Sequence, residues 1–170
     1  MKLLAVCVLV FSVMAQTRSD PEPDDGSPDP EVVVVQESSC PPGWFQINNR
    51  CFHYVSRIMS WARAKRNCLS MGANLASVHD TNEYRQVQSL ITKATYKSGR
   101  TWIGGTNAQE TSIWFWSDRS PLHYTNWCPG KPRNAHGTQR CLQMNYSDKK
   151  CWDDYICSVR LPSVCANKVR

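Results

Sequence analysis

Eight cysteines fall between position 40 and position 165: Cys40, Cys51, Cys68, Cys128, Cys141, Cys151, Cys157 and Cys165. An even set of this density in a short chain reads as a disulfide framework, provided the compartment is oxidising. The N-terminus speaks to the compartment. Lys2 precedes an apolar run from Leu3 to Val13, broken by Ser12, and Val13-Met14-Ala15 follows with small residues at the positions a signal peptidase reads. A signal peptide over 1–15 is therefore expected, with a secreted, extracellular product. The competing reading is a buried N-terminal helix. The run is too short to span a bilayer, and no later stretch is long and apolar enough to do so. The ninth cysteine, Cys7, would leave with the signal. Zinc is the rival use of the other eight. Yet Cys151 and Cys157 form the only close pair, and no paired CxxC or HxxxH motif exists. Spacing alone leaves roughly a hundred connectivities open.

Charge divides the remainder in two. Residues 16–39 set Arg18 against Asp20, Glu22, Asp24, Asp25, Asp29, Glu31 and Glu37, a net −6. With four prolines between Asp20 and Pro30 this segment cannot build a core, and it is expected to be an acidic disordered leader or a propeptide. No dibasic cleavage site marks its end. Val32–Val35 is the exception in it, either a short strand or a sticky patch. Residues 40–170 hold 18 Lys and Arg against 7 Asp and Glu, a net +11. So basic a domain attracts anionic surfaces at low salt, such as sulfated or sialylated glycans, bacterial envelopes or nucleic acid; the plainer reading is a well-solvated surface.

The segment from Cys40 is long enough for one domain. Ser60 can cap a helix in which Trp61, Ala64, Cys68 and Met71 share one face and which Gly72 ends. A second helix is expected from about Thr81, capped by Asp80 or Thr81, with Tyr84, Val87 and Ile91 as its apolar stripe. Short β-forming segments follow at Thr101–Ile103, Ile113–Trp116, Tyr124–Trp127, Cys141–Asn145 and Ser163–Ala166. Two helices followed by several strands give an α+β domain. Trp114 and Trp116 flank Phe115 and would share one strand face.

Trp102-Ile103-Gly104-Gly105 resembles the WIGL core motif of C-type-lectin-like domains. Cys40-Pro41-Pro42-Gly43-Trp44 resembles the start of the long form of that fold, and Cys151-Trp152-Asp153-Asp154 resembles its WND strand. The resemblance runs from Cys40 to Ala166. It implies two helices, short antiparallel strands and the bridges Cys40–Cys51, Cys68–Cys165 and Cys141–Cys157, with Cys128–Cys151 as a fourth. Trp102 and Trp152 are then core residues. Trp127-Cys128-Pro129-Gly130 and the extra bridge are similar to fish type II antifreeze proteins and to related fish mucus and serum lectins. The antifreeze proteins as a rule carry a fifth bridge, whose positions here are Ala108 and Arg140.

Relatives that bind sugar through calcium use Glu-Pro-Asn or Gln-Pro-Asp ten residues before a cysteine, a Glu two residues before it, and the Asn-Asp of the WND strand. Here those positions are Lys131-Pro132-Arg133, Gln139, Asp153 and Asp154. Calcium needs six to eight oxygen ligands. Lys and Arg are donors without an acceptor, and they repel a cation. The calcium site is therefore expected to be lost, with no cofactor in its place. Lys131 or Arg133 would fold toward Asp153 and Asp154 and stand in for the metal charge; alternatively the loop has decayed and its charges are ordinary surface. The resemblance further suggests a cis peptide at Lys131–Pro132. Asn145-Tyr146-Ser147 is a glycosylation sequon, expected in an exposed turn.

The resemblance implies a calcium-independent lectin of mucus or serum acting in innate defence. Its ligand residues would be Trp127, Lys131, Arg133, Asn134, Gln139, Asp153 and Asp154, its ligands galactose-type or anionic glycans on microbial surfaces. Multivalent action would call for homo-oligomers. The alternative is ice, bound through the same face. Long hydrated side chains at Arg133, His136 and Arg140 count against it, because ordering them costs entropy. A protein-binding module is a third use of the fold. Nucleic acid is not expected as partner. Neither is catalysis, since His53, His79, His123 and His136 are scattered without acid or cysteine partners.

Overall fold

The structure is a computed structural model that describes residues 40–169. The signal segment 1–15 and the acidic leader 16–39, with Val32–Val35, lie outside the described residues. The order of elements is β1 (Phe45–Ile47), β2 (Arg50–Met59), α1 (Trp61–Ser70), β3 (Asn74–Leu75), α2 (Thr81–Thr95), β4 (Thr101–Thr106), β5 (Phe115–Trp116), β6 (Gln139–Tyr146), β7 (Cys151–Ile156) and β8 (Leu161–Lys168). A 3-10 turn at Ala135–Gly137 precedes β6.

Both expected helices form where their patterns place them. In α1 the residues Trp61, Ala64 and Cys68 are buried, and Gly72 follows the end with φ 69°. In α2 the Asp80 carboxylate accepts from the Glu83 amide at 2.7 Å, which satisfies one of the free donors of the first turn. Tyr84, Val87, Leu90 and Ile91 face the core.

The strands form one sheet in the order β1-β2-β8-β4-β6-β7, with β3 on β8 and β5 on β4. It is mixed rather than wholly antiparallel, since β4 and β8 pair in parallel through Trp102 and Ser163. Nor are all strands short, for β2 runs ten residues. The segment expected as a strand at Tyr124–Trp127 is irregular. It touches the sheet through a single bridge from Trp127 to Trp152. Its aromatics instead enter an edge-to-face cluster in which Tyr124, Trp127 and Trp116 each pack on Trp152 at 5.5–5.7 Å. The segment expected at Ile113–Trp116 contracts to Phe115–Trp116. Trp116 is buried, whereas Trp114 lies outside the strand, half-buried against Trp127.

Trp102 and Trp152 are fully buried. The Trp102 indole donates to the Met59 carbonyl at 3.0 Å and that of Trp61 to the Ile103 carbonyl at 2.9 Å. These bonds tie α1 and β2 to β4 and satisfy the indole N–H groups of Trp61 and Trp102. Gly104 and Gly105 sit where a side chain would collide: a Cβ on the first would meet the Leu75 carbonyl oxygen at 2.6 Å, and one on the second the Leu142 side chain at 2.5 Å. The bridges are Cys40–Cys51, Cys68–Cys165, Cys128–Cys151 and Cys141–Cys157.

Candidate functional site

The site is built on β6 and β7 and on the loop that enters β6. Cys128 anchors the loop twice, through its disulfide to Cys151 on β7 and through its amide to the Trp152 carbonyl at 2.9 Å. The chain turns at Pro129-Gly130, where Gly130 has φ 75°, and passes through a cis peptide at Lys131–Pro132. Asn134 and His136 take left-handed conformations, and Thr138 leads into β6. The left-handed conformations of Asn134 and His136 are ones a β-branched residue would resist.

Beneath the loop, Asp153 and Asp154 are both buried. The Lys131 ammonium lies in salt-bridge contact with Asp153 Oδ1 and 3.7 Å from Asp154 Oδ1, with only 9% of its side chain exposed. It also lies 5.2 Å from the centre of the Tyr146 ring, on whose face a cation is stabilised. The remaining carboxylate oxygens are taken up by the protein itself. Asp153 Oδ2 accepts from the Gln143 amide at 2.6 Å. Asp154 Oδ1 accepts from the Arg133 backbone N–H at 2.9 Å, and Oδ2 from that of Asn134. Gln139 Oε1 accepts from the Ala135 N–H at 3.1 Å. A buried charge is tolerable only when paired and hydrogen-bonded, and each of these is.

Of the seven residues expected to touch ligand, the structure brings together Lys131, Asn134, Gln139, Asp153 and Asp154. It does so as an internal lock rather than an open rim. Asp153 and Asp154, expected to touch ligand, are closed to solvent and bond to Lys131 and to the loop backbone. The half-buried Trp127 ring packs edge-to-face at 4.8 Å against Trp114 and at 5.7 Å against Trp152. Arg133 is held only by its backbone, and its side chain is exposed. His136, Gly137 and Thr138 share that exposure, and Arg140 Nε donates to the Gly137 carbonyl at 2.9 Å. Asn145 is not in an exposed turn. It is 2% exposed at the end of β6, its side-chain oxygen accepting from Gln88 and its nitrogen donating to the Gly99 carbonyl at 3.3 Å. A glycan on that nitrogen would displace this bond.

A second polar cluster escaped the sequence reading. Ser77, fully buried, donates to Asp118 Oδ2 at 2.5 Å and lies 3.0 Å from His79 Nε2. Arg50 donates to the same hydroxyl and to Glu83 Oε1, both at 2.8 Å. Burial works to raise the Asp118 pKa. Hydrogen bonds from Ser120 and Ser77 and the charge of Arg50 outweigh it and hold the carboxyl below its ordinary 3.8. The five side chains come from distant parts of the chain, Ser77 and Asp118 alone being 41 residues apart, which no local motif encodes. Among the described residues no group of three or more His, Cys, Asp and Glu is placed to hold a metal, and no helix is long and apolar enough to cross a membrane.

Residues 57–167 match the family model described as the lectin C-type domain. The chain is 42% identical to ladderlectin of Oncorhynchus mykiss over 132 residues, covering 78% of this chain and 70% of that protein. Its fold is similar to that of a Ca2+-dependent type II antifreeze protein in its Ca2+-free form, at 35% identity and TM-score 0.71, covering 76% of this chain and all of that one. It is similar as well to a calcium-independent type II antifreeze protein, at 34% identity and TM-score 0.70, covering 78% of this chain and 96% of that one.

Proposed function

The chain belongs to the lectin C-type domain family, and we propose that it is a secreted, calcium-independent member that binds carbohydrate. The observation that carries this reading is the Lys131 ammonium between Asp153 and Asp154. Calcium takes six to eight oxygens, several of them charged. The donor set here does not fit that requirement. The carboxylates already receive Lys131, two backbone N–H groups and Gln143, and Gln139 receives a third N–H. The fixed positive charge does what a cation would do: it neutralises the carboxylates and holds the loop against β7.

The face left for a ligand is then the outer side of the loop, where Arg133, His136 and Thr138 are exposed beside the partly buried Asn134 and Gln139. These groups offer donors and acceptors for sugar hydroxyls, and Arg133 suits galactose-type or anionic glycans on microbial surfaces. Ladderlectin and the galactose-specific lectin nattectin of Thalassophryne nattereri, 36% identical over 132 residues, are named for sugar binding. Homo-oligomers would supply the avidity that a single shallow contact lacks. Four disulfides support an extracellular setting. The family resemblance offers ice as the second reading, supported by the likeness to the antifreeze structures.

Catalysis has no support. The nearest approach to a nucleophile and base is Ser77 with His79, but Asp118 bonds the serine rather than the imidazole, and Ser77 is sealed from substrate.

Retention on lactose–agarose in EDTA, with elution by free lactose, tests the reading. Retention that needs calcium would overturn the metal-free loop. Thermal hysteresis with faceted ice crystals, and no retention on lactose– or mannose–agarose, would replace sugar by ice.

A further inference from the structure

Three elements that take no part in the loop site build a groove of about 930 Å³, lined by Arg57, Arg63, Arg66 and Arg160. The sequence places each arginine there for a local reason. On α1, Arg63 and Arg66 are three residues apart on the edge that continues through Asn67 and Ser70, while Trp61, Ala64 and Cys68 take the buried face. On β2 the register slips between Val55 and Met59, and Arg57 and Ile58 are turned out of the ladder. Arg160 comes from the turn between β7 and β8 and reaches the Ile58 carbonyl at 3.5 Å.

No carboxylate lines this groove. None of the four arginines takes part in an ion pair among the described residues, whereas Arg50 and Lys131 both do. Four exposed like charges without a counter-charge concentrate positive potential in a concave site, where a mobile anion is drawn in. Guanidinium groups present planar paired donors that match an oxyanion bidentately, and they are only weakly hydrated. Between them lie Ile58, 48% exposed, and the polar side chains of Asn67 and Ser70. An apolar patch flanked by an amide and a hydroxyl suits a sugar ring with its hydroxyl groups. No aromatic side chain lines the groove, so the stacking platform of a single-stranded nucleic-acid site is missing.

We infer that this groove is a second ligand site, for a sulfated polysaccharide, separate from the loop and independent of what the loop binds. The probe is a size-defined heparin oligosaccharide, bound to the full chain at about 0.15 M salt, where unfocused surface charge is largely screened. The groove variant carries Arg57→Gln, Arg63→Gln, Arg66→Gln and Arg160→Gln. A control variant carries Arg85→Gln, Lys93→Gln, Lys97→Gln and Lys149→Gln, exposed positions that remove the same charge elsewhere. With about threefold lost per arginine at a solvated surface, the groove variant is expected to bind on the order of 100-fold more weakly, and the control to stay within about threefold of the parent. Equal losses in both variants would overturn the proposal, since net charge alone would then explain binding. So would full affinity in the groove variant, or tighter binding of duplex DNA or polyphosphate than of the heparin oligosaccharide by the parent. Should the fourfold variant melt early, single Arg63→Gln and Arg66→Gln substitutions serve instead, each expected to cost about threefold, and no loss in either would count against the groove.

Discussion

Lys131 is the residue on which the loop turns. Its ammonium is the only positive side chain in contact with Asp153 and Asp154 among the described residues. Replacing it by Met keeps the volume and strands two buried carboxylates. A loss of about 3–5 kcal/mol is expected, read by denaturant unfolding, because an uncompensated buried charge is the costly case. Adding Asp153→Asn to Lys131→Met should recover part of it; a neutral Lys131→Met would mean the pair is idle. Asp118 carries a separate prediction. Its folded carboxyl titrates below the ordinary 3.8, so the unfolded chain takes up that proton first as pH falls. The stability it contributes is full above the ordinary carboxylate range and is lost as pH falls through the lower folded value. The Asp118→Asn variant should therefore lose less stability than the parent between about pH 5 and pH 2; identical acid profiles would contradict this. At this scale the sequence was a partial guide. The charge reversal at Lys131 could be read from its chemistry alone. The burial of Asn145 could not, because Gln88 and Gly99, which hold it, are 57 and 46 residues away.

Elements were legible where their periodicity is local. Both helices follow from apolar spacing, and α2 also from its Asp80 cap, whereas Ser60 at the start of α1 makes no capping bond; such signals are contained within one or two turns. β2 left no such signal: Cys51 and Phe52 are buried in succession and Ser56, Arg57 and Ile58 are exposed in succession. The bulge breaks the alternation by which a strand is recognised. Tyr124–Trp127 failed in the opposite way, its β-forming aromatics being spent on a tertiary cluster around Trp152. β4 shows what sets an element's sequence from outside it. A methyl group at Gly104 would meet the Leu75 carbonyl oxygen at 2.6 Å, and backbone cannot swing aside as a side chain can. Gly104→Ala is expected to cost about 1–3 kcal/mol in thermal or chemical melts, the usual range for overpacking. An unchanged melting temperature would show that β3 and β4 are free to separate.

Across the whole molecule, two buried clusters meet on one sheet, with α2 serving the cluster around Trp152 and α1 the one around Trp102. The bridge Cys68–Cys165 spans 97 residues and joins α1 to β8, which closes the unfolded chain most tightly and contributes roughly 4–5 kcal/mol in the chain-entropy model. Cysteine count and the tryptophan motifs carried this level of organisation into the sequence. The parallel pairing of β4 with β8 was not carried there, since it joins segments about 60 residues apart. In the same frame the proposed reading makes the loop site one in which Lys131 takes the place of a metal ion, and that claim has a direct measurement. Melting curves recorded in about 10 mM calcium and in EDTA should superimpose. A site of about 0.1 mM affinity would instead add about 2.7 kcal/mol at that concentration and raise the midpoint by several degrees, and a saturable rise of that kind would contradict the assignment of the cation's role to Lys131.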